Sequence, residues 1–141
     1  MSILETPEQP KNKIRKQEEG VIQVKCFTWL WNNYPETRGL FFAVVNELEG
    51  NIPYNIRKKL GANRKARGVV SGVSDSILLI PRGHYHGACV EAKKGNGYQS
   101  PEQKEWQKKV EAQGYKYILY HSEEEFKKEI IEYLQLKKGS I

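Results

Sequence analysis

Three ionisable residues stand at the ends of two short apolar runs. Asp75 directly precedes Ser76-Ile77-Leu78-Leu79-Ile80, and Glu91 and Lys93 close the run Ala88-Cys89-Val90-Glu91-Ala92-Lys93. The stretch between them, Pro81-Arg82-Gly83-His84-Tyr85-His86-Gly87, is rich in chain breakers, so the two runs are expected to fold back as a β-hairpin. Folding about that turn brings Asp75 beside Glu91 and Lys93, and the two-residue strand period puts Glu91 and Lys93 on one face. Two carboxylates and an ammonium gathered at one end of a sheet can hold a hard divalent cation against a phosphate oxygen. The expected chemistry is phosphodiester hydrolysis. Asp75 and Glu91 bind Mg2+, with Mn2+ able to substitute, helped by the backbone carbonyl of Ala92 and waters. Lys93 contacts the attacking water or stabilises charge on the phosphate. The plainer alternative is a structural ion pair of Lys93 with Asp75 or Glu91.

Positioning such a site takes a sheet and the helices that cover it. Glu18 to Asn33 carries apolar residues at spacings of three and four, from Val21 to Trp31, and reads as a helix with a broad buried face. Leu40 to Val45 is a continuous apolar run between Gly39 and Asn46 and reads as a buried strand. After the hairpin, Ser100-Pro101-Glu102-Gln103 has the form of a helix start, with Ser as N-cap, Pro at N1 and Gln at N3, and Gly114 ends that helix. Tyr115 to Tyr120 reads as a strand, and Ser122-x-x-Glu125 opens a last helix with Phe126, Ile130, Tyr133 and Leu134 as its apolar stripe. The order helix, strand, strand, strand, helix, strand, helix predicts an α/β fold, one mixed sheet flanked by helices.

The 141 residues fit one domain, expected over 18–136, with a flexible basic arm at 1–17 and a short tail at 137–141. Lys and Arg outnumber Asp and Glu by 23 to 17, for a net charge of +6, which suits a polyanionic partner. Arg57, Lys58, Lys59, Arg64, Lys65 and Arg67 crowd the segment just before Asp75. A short helix is expected there only around Ile56 to Leu60, and the segment reads as one that tracks phosphates, with a solvated basic loop as the alternative. No apolar run reaches the ~20 residues of a membrane span, and the first residues lack a signal-peptide core. Cys26 and Cys89 lie in apolar runs and read as buried reduced thiols of a cytoplasmic protein. His84-x-His86 reads as part of a turn, because no third metal ligand lies nearby.

The motifs taken together resemble the PD-(D/E)XK nucleases, whose common core runs αβββαβ, and more narrowly their VRR-NUC branch (virus-type replication-repair nuclease). Glu19-Gly20-Val21-Ile22-Gln23 resembles that family's Glu-x-x-Ile-Gln, and Val44-Val45-Asn46 its strand ending in Asn. Gly72-Val73-Ser74-Asp75 resembles Gly-x-Pro-Asp, Glu91-Ala92-Lys93 is the Glu-x-Lys, and Ser100 to Lys104 resembles Ser-x-x-Gln-Lys. Ser74 in place of Pro and Ala92 in place of a larger apolar residue depart from the pattern without removing a ligand.

The resemblance implies more than the residues alone do. Glu19, which by itself reads as a helix-start residue, would join the metal shell or stand behind it. Gln103 would face the catalytic site as well as cap a helix. Asn46 and Lys94 would join the basic segment in contacting nucleic acid. An isolated domain of this kind, of phage type, implies a structure-selective endonuclease of DNA repair or recombination in a bacterial or phage-infected cytoplasm. Its expected form is a homodimeric four-way (Holliday) junction resolvase acting on branched DNA. The rival expectations are a monomeric flap or junction nickase, an enzyme directed at RNA, and a non-catalytic nucleic-acid-binding module that keeps the fold.

Overall fold

The computed structural model describes residues 11–45, 53–95 and 97–138. Its elements are α1 (Lys11–Asn33), a 3-10 turn (Pro35–Thr37), β1 (Phe41–Ala43), α2 (Tyr54–Ala66), β2 (Ser76–Leu78), β3 (Ala88–Ala92), α3 (Pro101–Ala112), β4 (Lys116–Tyr120) and α4 (Glu123–Leu134). The four strands form one mixed sheet in the order β1-β2-β3-β4, antiparallel except for the parallel β3–β4 pair. The expected hairpin is present, with Ser76 opposite Val90 and Leu78 opposite Ala88. The crossover from β3 to β4 runs through α3, as a parallel pair requires.

The two faces of the sheet are chemically unlike. Leu78, Ala88, Val90, Ala92, Ile118 and Tyr120 join Cys26 and Leu30 of α1 and Phe126, Ile130 and Tyr133 of α4 in the apolar core. The alternate residues of β3 and β4, Cys89, Glu91 and Tyr117, are buried outside that cluster, and the Trp106 ring of α3 meets Tyr117 edge-on at 6.3 Å. The strand period thus separates a hydrocarbon core from a second face where a carboxylate can sit. Tyr133 ties α4 to the turn after β2 by donating its hydroxyl to the Ile80 carbonyl at 2.6 Å. The α3 start is a full capping box, Ser100 and Gln103 each bonding the other's backbone N–H.

Four expectations need correction. First, α1 begins at Lys11, seven residues before Glu18, because Lys, Arg, Gln and Glu are good helix formers and polarity alone does not stop a helix; residues 1–10 lie outside the described residues. Second, the basic segment is the thirteen-residue helix α2 rather than a short helix around Ile56 to Leu60. Third, β1 is an edge strand, not a buried one. Phe41 is buried while Leu40 and Phe42 are exposed, so the continuous apolar run reflects one covered face and one bare one. Fourth, the broad apolar surface of α1 is only partly buried. Cys26 and Leu30 are enclosed, whereas Val21, Val24, Phe27 and Trp31 are exposed.

Candidate active site

Because Ser76 pairs with Val90 in the antiparallel β2–β3 ladder, Asp75 and Glu91 come opposite each other where the strands end. Asp75 Oδ2 accepts the Ala92 N–H at 2.7 Å, a charge-assisted bond that pins the carboxylate to the neighbouring strand. The Lys93 N–H continues the β3–β4 ladder to the Tyr120 carbonyl at 2.8 Å, so Lys93 leaves the sheet two residues beyond Glu91. Burial raises the pKa of both carboxyls, and the Lys93 ammonium opposes that rise without overcoming it. Among the described residues the ion pairs are His121–Glu125 and Lys127–Glu123, so Lys93 is not consumed in a structural pair with Asp75 or Glu91.

Glu91 is fully buried. Tyr117 donates its hydroxyl to Oε2 at 2.9 Å, and Gln99 Nε2 donates to the same oxygen at 3.2 Å. Gln99 Nε2 also donates to Gln107 Oε1 at 2.8 Å. Glu91 Oε1 is the buried side-chain polar atom that has no partner among the described residues. Burial drives the Glu91 pKa up, against the Tyr117 and Gln99 bonds. Burial first, then the Glu91 and Glu19 carboxylates, push Asp75 from its ordinary 3.8 up to about 6, against the Ala92 N–H and Lys93. Burial and the Glu91 charge keep Tyr117 protonated, hence a donor. Sequence reasoning missed Tyr117, Gln99 and Gln107. The strand period of β4 marks Tyr117 as facing the Glu91 side, but only once the parallel pairing of β3 with β4 is known.

A buried carboxylate oxygen with no donor for its lone pairs is costly unless a cation or donor completes it. Among the described residues no group of three or more His, Cys, Asp and Glu is gathered to hold a metal. Mg2+ does not require one, because it is commonly held by one or two carboxylates plus waters and phosphate oxygens. The pair, with Glu91 Oε1 unpartnered, therefore fits a small divalent cation, and the Ala92 carbonyl stands beside it in sequence as a further oxygen donor. Glu19 reaches this end of the sheet from α1, where its Oε1 accepts the Lys94 N–H at 3.2 Å. Its charge acts on both Asp75 and Glu91.

Gln103 is drawn two ways. Its Oε1 accepts the Ser100 N–H at 2.8 Å, while the residue lines a cleft of about 380 Å3 together with Asp75, Val44, Ser74 and Ser100. Gly72 lies in the same cleft at φ +82°, and a Cβ there would stand 2.5 Å from the backbone carbonyl of Glu102. Only glycine lets the loop before Asp75 press against the first turn of α3. Gly72→Ala combines a left-handed backbone with a backbone clash and is expected to destabilise the protein by about 2–4 kcal/mol, measured by urea unfolding.

Arg57, Lys58, Lys59, Arg64, Lys65 and Arg67 lie on α2 or at its C-cap, and α2 buries no residue. Arg64 bonds the Val45 carbonyl at 3.1 Å, which ties the helix to the chain just after β1. Asn46 lies outside the described residues. Lys94 is exposed beside Glu19. His84 and His86 sit in the β2–β3 turn, His84 against the Tyr85 ring and His86 against Tyr115, as turn residues.

A family model for the VRR-NUC domain matches residues 6–124. A solved structure titled "VRR_NUC domain protein" is similar over 85% of this chain and 90% of that chain, with a TM-score of 0.71 and 25% sequence identity. No curated protein matches.

Proposed function

The chain belongs to the VRR-NUC family, nucleases of the PD-(D/E)XK type, and from that premise we propose that it is a metal-dependent, structure-selective endonuclease that cuts branched DNA as a homodimer. The observation that carries the metal dependence is the pairing of half-buried Asp75 with fully buried Glu91, whose Oε1 has no partner among the described residues. Asp75, Glu91 and the Ala92 carbonyl would hold the cation, with Glu19 behind them. Bound there, Mg2+, or Mn2+ as its substitute, would supply Lewis-acid polarisation of the phosphate and ease ionisation of water.

The remaining work falls to side chains of this chain. Lys93 sets an ammonium against the attacking water or the charge that develops on phosphorus, where a positive group in a partly dry site is worth several kcal/mol. Gln103 borders the cleft that receives the strand. In-line attack forms a new P–O bond to the water oxygen while the ester P–O bond opposite breaks and its oxygen takes up a proton. The exposed cations of α2, with Lys94 and Asn46, bind backbone phosphates in any sequence. No described helix is long and apolar enough to cross a membrane, and repair or recombination in the cytoplasm is the setting this activity suits.

Two copies are favoured by the bare face of α1. Val24, Phe27 and Trp31 line a groove of about 560 Å3 with Phe41 and Phe42, and Val21 is exposed nearby. Apolar surface of this kind marks an interface, and a two-fold axis through it would set two sites in opposite polarity, matched to a four-way junction. The test incubates the protein with labelled duplex, flap, splayed-arm and four-way DNA, with and without Mg2+ or Mn2+, while light scattering reports its mass. Metal-dependent, paired symmetric cuts in the junction by a dimer are expected. A monomer leaving single nicks would replace the resolvase by a flap or junction nickase, and no cleavage with any metal would leave a binding module.

A further inference from the structure

Glu91 is held from one side only. Both of its donors, the Tyr117 hydroxyl at 2.9 Å and the Gln99 amide at 3.2 Å, go to Oε2, and none goes to Oε1. Neither donor is free to wander. Gln99 Nε2 is also spent on Gln107 Oε1 at 2.8 Å, so α3 fixes the amide. Tyr117 is 8% exposed, on β4 beside Cys89 of β3, with the Trp106 ring against it. A carboxylate has about four lone-pair sites, and two of the four here are taken on one oxygen. A carboxylate open at both oxygens can grip a cation bidentately, as the large and flexible Ca2+ shell often uses. One open at a single oxygen suits the smaller octahedral shells of Mg2+ and Mn2+.

We propose that Tyr117 and Gln99 are positioning residues that occupy Glu91 Oε2, offer Oε1 alone to the cation, and thereby make the site prefer Mg2+ or Mn2+ over Ca2+. This rests on the metal-site reading given above. It adds a source of selectivity outside the ligands themselves, in a tyrosine and a glutamine that act through the Glu91 carboxylate. Partners of metal ligands matter on the scale of 10–100-fold in affinity, and freeing Oε2 changes the two ions in opposite senses.

The experiment is calorimetric titration of the full-length protein, without DNA, with MnCl2 and separately with CaCl2. Wild type is expected to bind Mn2+ more tightly than Ca2+. Tyr117→Phe, which removes one hydroxyl, should weaken Mn2+ by about 10–100-fold and narrow the Mn2+/Ca2+ ratio by at least about tenfold, because Ca2+ gains the second oxygen. Gln99→Ala should shift the ratio the same way by less, and it carries the test if Tyr117→Phe does not fold. A merely structural role would lower the melting temperature in EDTA and leave the ratio alone. An unchanged ratio in a folded variant, with wild type binding Mn2+, overturns the proposal and leaves the metal site standing. Wild type and Asp75→Ala binding Mn2+ alike overturns the metal site itself.

Discussion

Asp75→Ala and Glu91→Ala are each expected to abolish metal-dependent cleavage, a loss on the order of 10³-fold or more, while DNA affinity measured without metal stays near wild type. The magnitude follows from comparison. Removing a group that merely orients a metal ligand costs about 10–100-fold, and on the proposed reading these substitutions remove a ligand itself, one of two facing carboxylates. Lys93→Ala is expected to lose about 10²–10³-fold, the range for deleting one donor aimed at developing charge. Glu19→Ala should instead move the midpoint of the Mg2+ titration, because Glu19 acts on the pair through its charge and bonds the Lys94 N–H rather than either carboxylate. Single-turnover cleavage across a metal titration separates the cases. Full activity in Asp75→Ala would show that the scissile phosphate sits elsewhere. An unchanged titration in Glu19→Ala would return Glu19 to a helix-side role.

The facing carboxylates were legible because they depend on local rules. A turn full of breakers between two apolar runs sets the hairpin, and the two-residue period then fixes what faces what. The Ser100 cap was legible for the same reason. Glu19 was not, since with the helix read as starting at Glu18 a carboxylate in its first turn has a sufficient explanation in the helix dipole; α1 in fact starts at Lys11, and only the likeness of the motif to the family's pointed to the site. Tyr117 and Gln99 depend on the parallel pairing of β3 with β4, which is set by a crossover through α3 and leaves no local trace. The extent of α2 was missed because it buries no residue, so it lacks the stripe by which helices are recognised. The edge position of β1 was missed because an apolar run looks the same whether sheet covers one side or both. The exposed Leu40, Phe42 and α1 residues are what made the run misleading, and they form the face a second copy would cover.

Burying two carboxyls side by side costs the metal-free protein stability, and that cost has a sign in pH. Asp75 is pushed from 3.8 to about 6 by burial and by the neighbouring carboxylates. A carboxyl with a raised pKa in the folded state contributes stability that is fully present below its unfolded value and is lost as pH rises through the folded one. The displacement corresponds to roughly 2–3 kcal/mol, and Glu91, raised by its own burial, acts in the same direction. In EDTA, the difference in melting temperature between Asp75→Asn and wild type is therefore expected to be near zero at pH 4. It should open between pH 4 and 6 and reach its full size above pH 7, with the variant higher by roughly 5–10 °C. The amide keeps an oxygen for the Ala92 N–H that Asp75 Oδ2 now accepts at 2.7 Å, so the substitution removes charge while keeping the bond. Millimolar MnCl2 should then raise the wild-type midpoint at pH 7.5 and leave the variant unmoved, since a ligand stabilises only the fold that binds it. Calorimetry across pH 4–8, with EDTA and with MnCl2, makes the measurement. An Asp75→Asn protein no more stable than wild type at pH 8 would mean that the chain already neutralises this carboxylate, and that the pair is not kept for a cation.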